Sequence, residues 1–270
     1  MYGIGFYDEY LNRLGNLKDK PDMATPYKIE YLKSIIRDNK VYKFISFQEN
    51  ETIKLQTLIE NKIWFSFYKT LNDETEFCID YSIKNVISKT GYKKENIELL
   101  INCLTEMYDV FSLTYSYENY MWEKYASEGK GICVEYNIQN YDYLFPVEYC
   151  NKRKIDFTKM VINSLKNGSN ELAIIPWVIK NSYNETAKID STKEKEVRIL
   201  YCPYVLSEFN NGRLEYNIKE RMNYKGISRL YKDFDMDINK IIIGNKCDEN
   251  EKIKSYIMLK KIKYKLNVFK

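Results

Sequence analysis

Glu194-Lys195-Glu196-Val197-Arg198-Ile199-Leu200-Tyr201 is the stretch on which the reading of this chain turns. A side-chain period of two predicts a strand with Glu194, Glu196 and Arg198 on one face and Val197 and Ile199 on the other. Apolar packing behind and two acids beside an arginine in front make a rigid carboxylate platform, suited to catalysis or to polar binding. A half-exposed strand carrying a solvated charge ladder fits the same pattern, because exposed ion pairs are common and often contribute nothing measurable. The clusters elsewhere in the chain favour the first reading.

At 270 residues the chain can bury a full core, as one large domain or as a domain with a small appendage. Charged residues make up 30% and no apolar run approaches the ~18 residues of a membrane span, which predicts a globular protein with no membrane partner. No charged-then-apolar leader precedes the first polar segment, so the cytoplasm is the expected location. The six cysteines show no paired short spacings and read as reduced core residues, with neither a zinc site nor a disulfide frame.

The chain has no histidine. That removes Ser-His and Cys-His nucleophile pairs, histidine metal sites and histidine acid-base catalysis together, and no metal is expected. Chemistry must come from carboxylates, lysine, arginine, tyrosine, serine or cysteine. The net charge of +4 is a mild basic excess that permits nucleic-acid binding without indicating it.

Working outward, apolar spacing predicts helices over 6–14 and, from Pro26, over 26–36, an N-terminal helical extension within residues 1–40. Residues 41–270 then read as one α+β domain. Strands are expected at 41–47, 62–68, 110–115, 131–137 and 147–150, and helices at 51–61, 94–108, 119–128, 156–166 and 171–182, the last kinked by Pro176. The Glu194 strand, a polar loop through Asn211, a strand at 240–243, a helix at 248–259 and a last strand follow. In that last strand Ile262, Tyr264, Leu266 and Val268 alternate with Lys261, Lys263, Lys265 and Asn267, so the lysine face is expected to guard a sheet edge. The alternation is too irregular for repeated βαβ units. A mixed or antiparallel sheet flanked by helices is expected, with no glycine-rich dinucleotide fingerprint.

Three clusters resemble parts of a site. Trp64 and Ser66 share one face of the 62–68 strand, which leads to Asn72, Asp73 and Glu76; Asn72 and Asp73 could equally serve only to close a turn. Ser112 and Thr114 project from one strand face. Trp122 and Tyr125 are neighbours on a helix, followed by Gly129-Lys130-Gly131, and are either packing or a stacking platform whose glycine turn offers backbone donors and a cation to phosphate.

Val41-Tyr42-Lys43-Phe44, Trp64-Phe65-Ser66 with Asn72-Asp73 and Glu76, Phe111-Ser112-Leu113-Thr114 with Asn119, Met121-Trp122 and Tyr125, Gly131-Ile132-Cys133, and Glu194-x-Glu196-x-Arg198 together resemble the bacterial family known as domain of unknown function 2971. The resemblance spans about 41–245. The chain departs from that family's usual pattern at Glu74, Lys124 and Ser191, where the family tends to carry proline, histidine and tryptophan.

The layout also resembles ADP-ribosyltransferases, whose split sheet carries a basic or polar residue on an early strand, a Ser-x-Ser/Thr strand and a later Glu-x-Glu strand; the resemblance implies such a split sheet here. Lys43, Ser112 with Thr114, and Glu194 with Glu196 fall in that order. The resemblance implies NAD as substrate, Glu196 as catalytic carboxylate and Glu194 as its assistant toward an acceptor, which would be protein, nucleic acid or water. It places Lys43, Trp64, Ser66, Asn72, Ser112, Trp122, Tyr125 and Arg198 around the dinucleotide, as in a toxin or phage-defence effector. Cleaving nicotinamide from NAD develops an oxocarbenium ion that a fixed carboxylate can stabilise, so neither histidine nor metal is needed. Two other readings stand beside it. One is a non-catalytic sensor of a bacterial defence system that binds a nucleotide or RNA through the same cleft; the other is a metal-dependent phosphodiesterase built on Asp73, Glu76, Glu194 and Glu196.

Overall fold

The structure, a computed structural model, describes residues 3–14, 23–46, 58, 62–67, 77, 79–105, 108–151, 155–169, 171–184, 188–201, 204–206, 216–218, 221–224, 227–232, 236–247, 250–259 and 264–266. Among them the helices are α1 (Phe6–Arg13), α2 (Ala24–Ile35), α3 (Ile83–Thr90), α4 (Lys94–Thr105), α5 (Asn119–Tyr125), α6 (Phe157–Asn167), α7 (Glu171–Val178) and α8 (Asn250–Leu259). The strands are β1 (Lys40–Ile45), β2 (Ile63–Phe67), β3 (Asp109–Thr114), β4 (Ile132–Ile138), β5 (Leu144–Pro146), β6 (Glu148–Cys150), β7 (Ile179–Asn181), β8 (Tyr183–Asn184), β9 (Ile189–Asp190), β10 (Glu196–Tyr201), β11 (Tyr204–Leu206), β12 (Tyr216–Ile218), β13 (Arg221–Tyr224), β14 (Ile227–Lys232), β15 (Met236–Ile243) and β16 (Tyr264–Leu266).

The central strand is β3. Along its whole length β10 pairs antiparallel on one edge, with Glu196 opposite Thr114 and Arg198 opposite Ser112. The other edge is shared: β2 holds its start, Ser66 opposite Val110, while β1 holds its end, Tyr42 opposite Thr114. The sheet therefore forks at β3. One branch continues from β1 through β4 to β15, and the other from β2 through β14 to β13. Beyond β10 lies β5. Pairing within this sheet is antiparallel except between β15 and β16, whose parallel register uses α8 as the crossover. The fold is thus α+β, a mostly antiparallel sheet flanked by helices.

Side-chain alternation sorts the two faces. Phe111 and Leu113 of β3, Val197 and Ile199 of β10, and Val134 and Ile241 of the β1 branch bury into one core with Leu32 and Ile36 of the N-terminal segment. Val110 and Leu200, on the opposite face, join a second core with Phe6, Tyr7, Tyr10, Phe157, Met160 and Trp177. Tyr7 donates its hydroxyl hydrogen to the Pro146 carbonyl at 2.5 Å, and the buried Lys28 donates to the Asp142 carbonyl, so α1 and α2 are tied to β5 and its turn. A third, smaller cluster packs Trp122 and Met121 of α5 on Phe44, Cys133 and Ile242.

Periodicity placed most elements within a few residues. The differences have physical causes. The expected helix over 171–182 stops at Val178, two residues past Pro176, and the chain turns into β7, which pairs parallel with β6. The Glu194 strand begins only at Glu196, because Ser191–Glu194 forms a 3-10 turn closed by Lys195 at φ 44. The expected loop through Asn211 contains β11, paired with β12. α3 follows no signal noticed in the sequence; Ser82 caps it, accepting from the Asn85 N–H, and Gly91 ends it in a left-handed turn. Of the helix expected at 51–61 only Leu58 is described, as helical and buried.

The Gly129-Lys130-Gly131 turn is a crossing point rather than a cradle. The N–H groups of Gly129 and Gly131 both donate to the Ala126 carbonyl, at 3.1 and 3.0 Å, and that of Lys130 donates to the Ser127 carbonyl at 3.1 Å. The phosphate cradle expected there is corrected, since those donors are already used. Glycine is needed for clearance: a Cβ on Gly131 would lie 2.0 Å from the Ile45 carbonyl oxygen, and one on Gly244 2.1 Å from that of Gly129.

Candidate functional site

Register across β10 and β3 builds the site. Glu196, Arg198, Ser112 and Thr114 share one face, and the 3-10 turn delivers Glu194 to the same place by a different route from the simple alternation expected. Arg198 grips Glu196 with two donors, Nε to Oε1 at 2.7 Å and Nη2 to Oε2 at 3.2 Å, and its Nη1 donates to the Trp177 carbonyl at 3.0 Å. This fork geometry suits a guanidinium and would not survive exchange for lysine. Both residues are buried, Arg198 to 1% exposure.

Lys180 of β7 joins the acids. Its Nζ lies 2.7 Å from Glu194 Oε2 and 3.4 Å from Glu196 Oε2. The other oxygen of Glu194 accepts from the Lys124 ammonium and from the Tyr125 hydroxyl, the latter at 2.8 Å. The Tyr149 hydroxyl oxygen accepts the Glu196 backbone N–H at 3.0 Å. Neither carboxylate lacks donors, as burial of a charge requires.

Burial by itself would push the Glu196 carboxyl up. The Arg198 guanidinium, then the Lys180 ammonium, with hydrogen bonds from Arg198 and Ser112, outweigh it and hold the group well below the usual carboxylate range. Glu196 is therefore an anion throughout the physiological range, a fixed negative charge and not a proton donor. For Tyr125, burial and then the Glu194 charge drive the phenol far above its ordinary value, leaving a neutral donor. Tyr125→Phe should lower stability by about 2 kcal/mol, the value of a hydrogen bond to a charged acceptor, read as a shift in the urea midpoint. No shift would mean that water replaces the phenol there without cost.

The network is open on one side. Lys124 keeps 26% of its side chain exposed and Ser112 and Tyr125 are half-buried, whereas Glu194 retains 4%. Lys195, between the two acids in the chain, forms its own exposed ion pair with Glu118 at 2.6 Å, with the Ser116 hydroxyl donating to Glu118 at 2.6 Å. The rim offers a cation, hydroxyls and a phenol over a buried anionic floor, chemistry that suits a polar ligand carrying both hydroxyl and phosphate groups.

Five of the residues singled out in the sequence therefore meet: Glu194, Glu196, Arg198, Ser112 and Tyr125. Others do not. Lys43 pairs with Val134 in the register of the opposite face; its ammonium sits in the fork of the sheet, donating to the Ser112 carbonyl at 2.8 Å and facing the Phe111 ring at 5.0 Å. Its expected place around a dinucleotide on the Glu196 face is corrected. Tyr42, one residue earlier and opposite Thr114, lies on the Glu196 face, as does Phe44. Trp122 lies on the Glu196 side of the sheet but is fully buried, edge-on to Phe44 at 5.2 Å and to Tyr117 at 6.2 Å, so it is core and offers no face to a ring. Ser66 is half-buried opposite Val110, at the far end of β3. Trp64 pairs with Tyr231, its side chain lying outside the described residues together with all of Asn72, Asp73 and Glu76.

Lys180, Lys124 and Tyr149 went unnoticed in the sequence. A helix running through residue 182 hid Lys180, while Lys124 stood out only as a departure from a family pattern. Among the described residues no group of three or more cysteine, aspartate or glutamate side chains could hold a metal ion, and no helix is long and apolar enough to cross a membrane. Cys103 and Cys133 carry thiols, the second buried. No protein family, curated protein or solved structure matches the chain.

Proposed function

We propose that the chain cleaves NAD and transfers ADP-ribose, with Glu196 as the fixed carboxylate. The carrying observation is register. β1, β3 and β10 are neighbours in the sheet, so that the Ser112-x-Thr114 pair and Glu196 share one face, in the chain order that ADP-ribosyltransferases carry. Breaking the bond to nicotinamide leaves positive charge on the ribose carbon, and an anion that cannot be protonated at neutral pH stabilises it without moving. Ser112 and Arg198 keep that anion in place, while Lys124, partly exposed beside Glu194, supplies charge for a pyrophosphate. The reaction needs no histidine. Its setting would be the cytoplasm, where NAD is available, with a protein, a nucleic acid or water as acceptor.

One observation favours a second reading. Both Glu196 oxygens already accept from Arg198, the arrangement of a purely structural ion pair, which would leave a module that binds a nucleotide without turnover. Incubating the protein with NAD, with and without EDTA, and assaying nicotinamide separates the two. Release that ignores EDTA supports the enzyme; saturable NAD binding with no release supports the module.

A further inference from the structure

We infer that Lys180 is the positioning residue that makes Glu194 and Glu196 one charged unit; this rests on the proposed reading of Glu196. Two like charges brought into one buried place repel, and one of them ordinarily takes up a proton. Here a single ammonium lies between them, 2.7 Å from Glu194 and 3.4 Å from Glu196, on a side chain only 10% exposed. It reaches them from β7, an element whose backbone is paired to β6 and not to β10. The acids are thus supported from a separate part of the fold, and Tyr149 of β6, bonded to the Glu196 N–H, anchors that part to β10.

Among the described residues the other groups facing the pair include Lys124 and Tyr125 of α5 on Glu194, and Arg198 of β10, Ser112 of β3 and Tyr149 of β6 on Glu196. Lys180 lies within ion-pair distance of both carboxylates. Remove its charge and Glu194 keeps partners of its own, but Glu196 loses one of the two cations that oppose its burial. The consequence reaches Glu196 through the electrostatic balance and not through contact with substrate, which is why Lys180 positions and does not itself react.

The test compares urea midpoints of the wild type, Lys180→Met and Lys180→Arg from pH 7 to pH 3.5, alongside nicotinamide release. A carboxyl held low in the folded state stabilises it above the unfolded value of about 4.5, and that stability is lost as pH falls further. Lys180 favours the Glu196 anion, so in Lys180→Met the folded carboxyl rises toward its ordinary value, and the midpoint gap between wild type and variant should narrow as pH falls through that raised value toward pH 3.5. Lys180→Arg should follow the wild type. Nicotinamide release should fall about tenfold or more in the methionine variant and return in the arginine variant, with the effect in kcat rather than KM.

A gap that stays constant with pH would reduce Lys180 to packing and overturn the inference. If Lys180→Met does not fold, Lys180→Met/Glu194→Gln removes the cation together with its nearest anion, and the same narrowing is expected of it. A wild type that releases no nicotinamide would fell the catalytic reading alone, because the midpoint comparison still decides what Lys180 does.

Discussion

Glu196→Gln should abolish nicotinamide release, lowering it by about 10²-fold or more, and should also destabilise the protein by about 3–5 kcal/mol. The two losses have different origins. The first is removal of a preorganised charge from the place where positive charge develops. The second arises because Arg198, 1% exposed, loses the anion that accepts from its Nε and Nη2. A double variant separates them: Glu196→Gln/Arg198→Met removes both charges, and replacing a buried pair by apolar or neutral groups is often close to neutral for stability. Its urea midpoint should recover toward the wild type while nicotinamide release stays lost. Recovery of both would show that Glu196 matters only as the partner of Arg198. A single variant with a much reduced midpoint and unchanged specific activity would end its candidacy as catalyst.

Gly131→Ala should be among the most damaging single changes outside the site, at about 3 kcal/mol or more, at or beyond the upper end of ordinary overpacking. The added methyl would meet the Ile45 carbonyl oxygen at 2.0 Å, and backbone cannot step aside as a flexible side chain can. Gly244→Ala should behave alike, because its methyl would meet the Gly129 carbonyl at 2.1 Å in the same crossing. By contrast Gly168→Ala has open space and suffers only from its left-handed φ of 61, so it serves as the control of smaller cost. If thermal midpoints of Gly131→Ala and Gly168→Ala coincide, the crossing is looser than described.

What the sequence made legible was periodicity. Val197 and Ile199 against Glu196 and Arg198 is a pattern of period two with a single solution, and β10 follows it. Lys43 shows the limit of such patterns: its strand was found, but its face is a matter of parity, and one step of register exchanges Lys43 for Tyr42. Lys180 was hidden by the apolar run 172–179, which satisfies helix and buried strand equally well until Pro176 and the chain beyond it decide. Glu194 was legible as a site residue, but not the way it gets there. Its route to the site depends on Lys195 adopting a left-handed conformation at φ 44, which no residue type at that position announces. Trp122 carried two readings, and burial against Phe44 was not visible before β1 and α5 were placed together.

The fork at β3 also bears on how the protein comes into being. Its central strand, complete once residue 114 has been made, takes its full-length neighbour from residues 196–201, and β4 waits for residues 236–243. Pairings between such distant segments make folding slow, since long loops must close before any contact rewards them. On the ribosome the nascent chain would hold β3 and β4 with open edges while much of its length is still to be synthesised. This is the period in which strands seek wrong partners. The carboxylate of Glu196 therefore meets Ser112 only late, and a chain stopped before residue 196 would have neither the floor of the site nor any activity that depends on it.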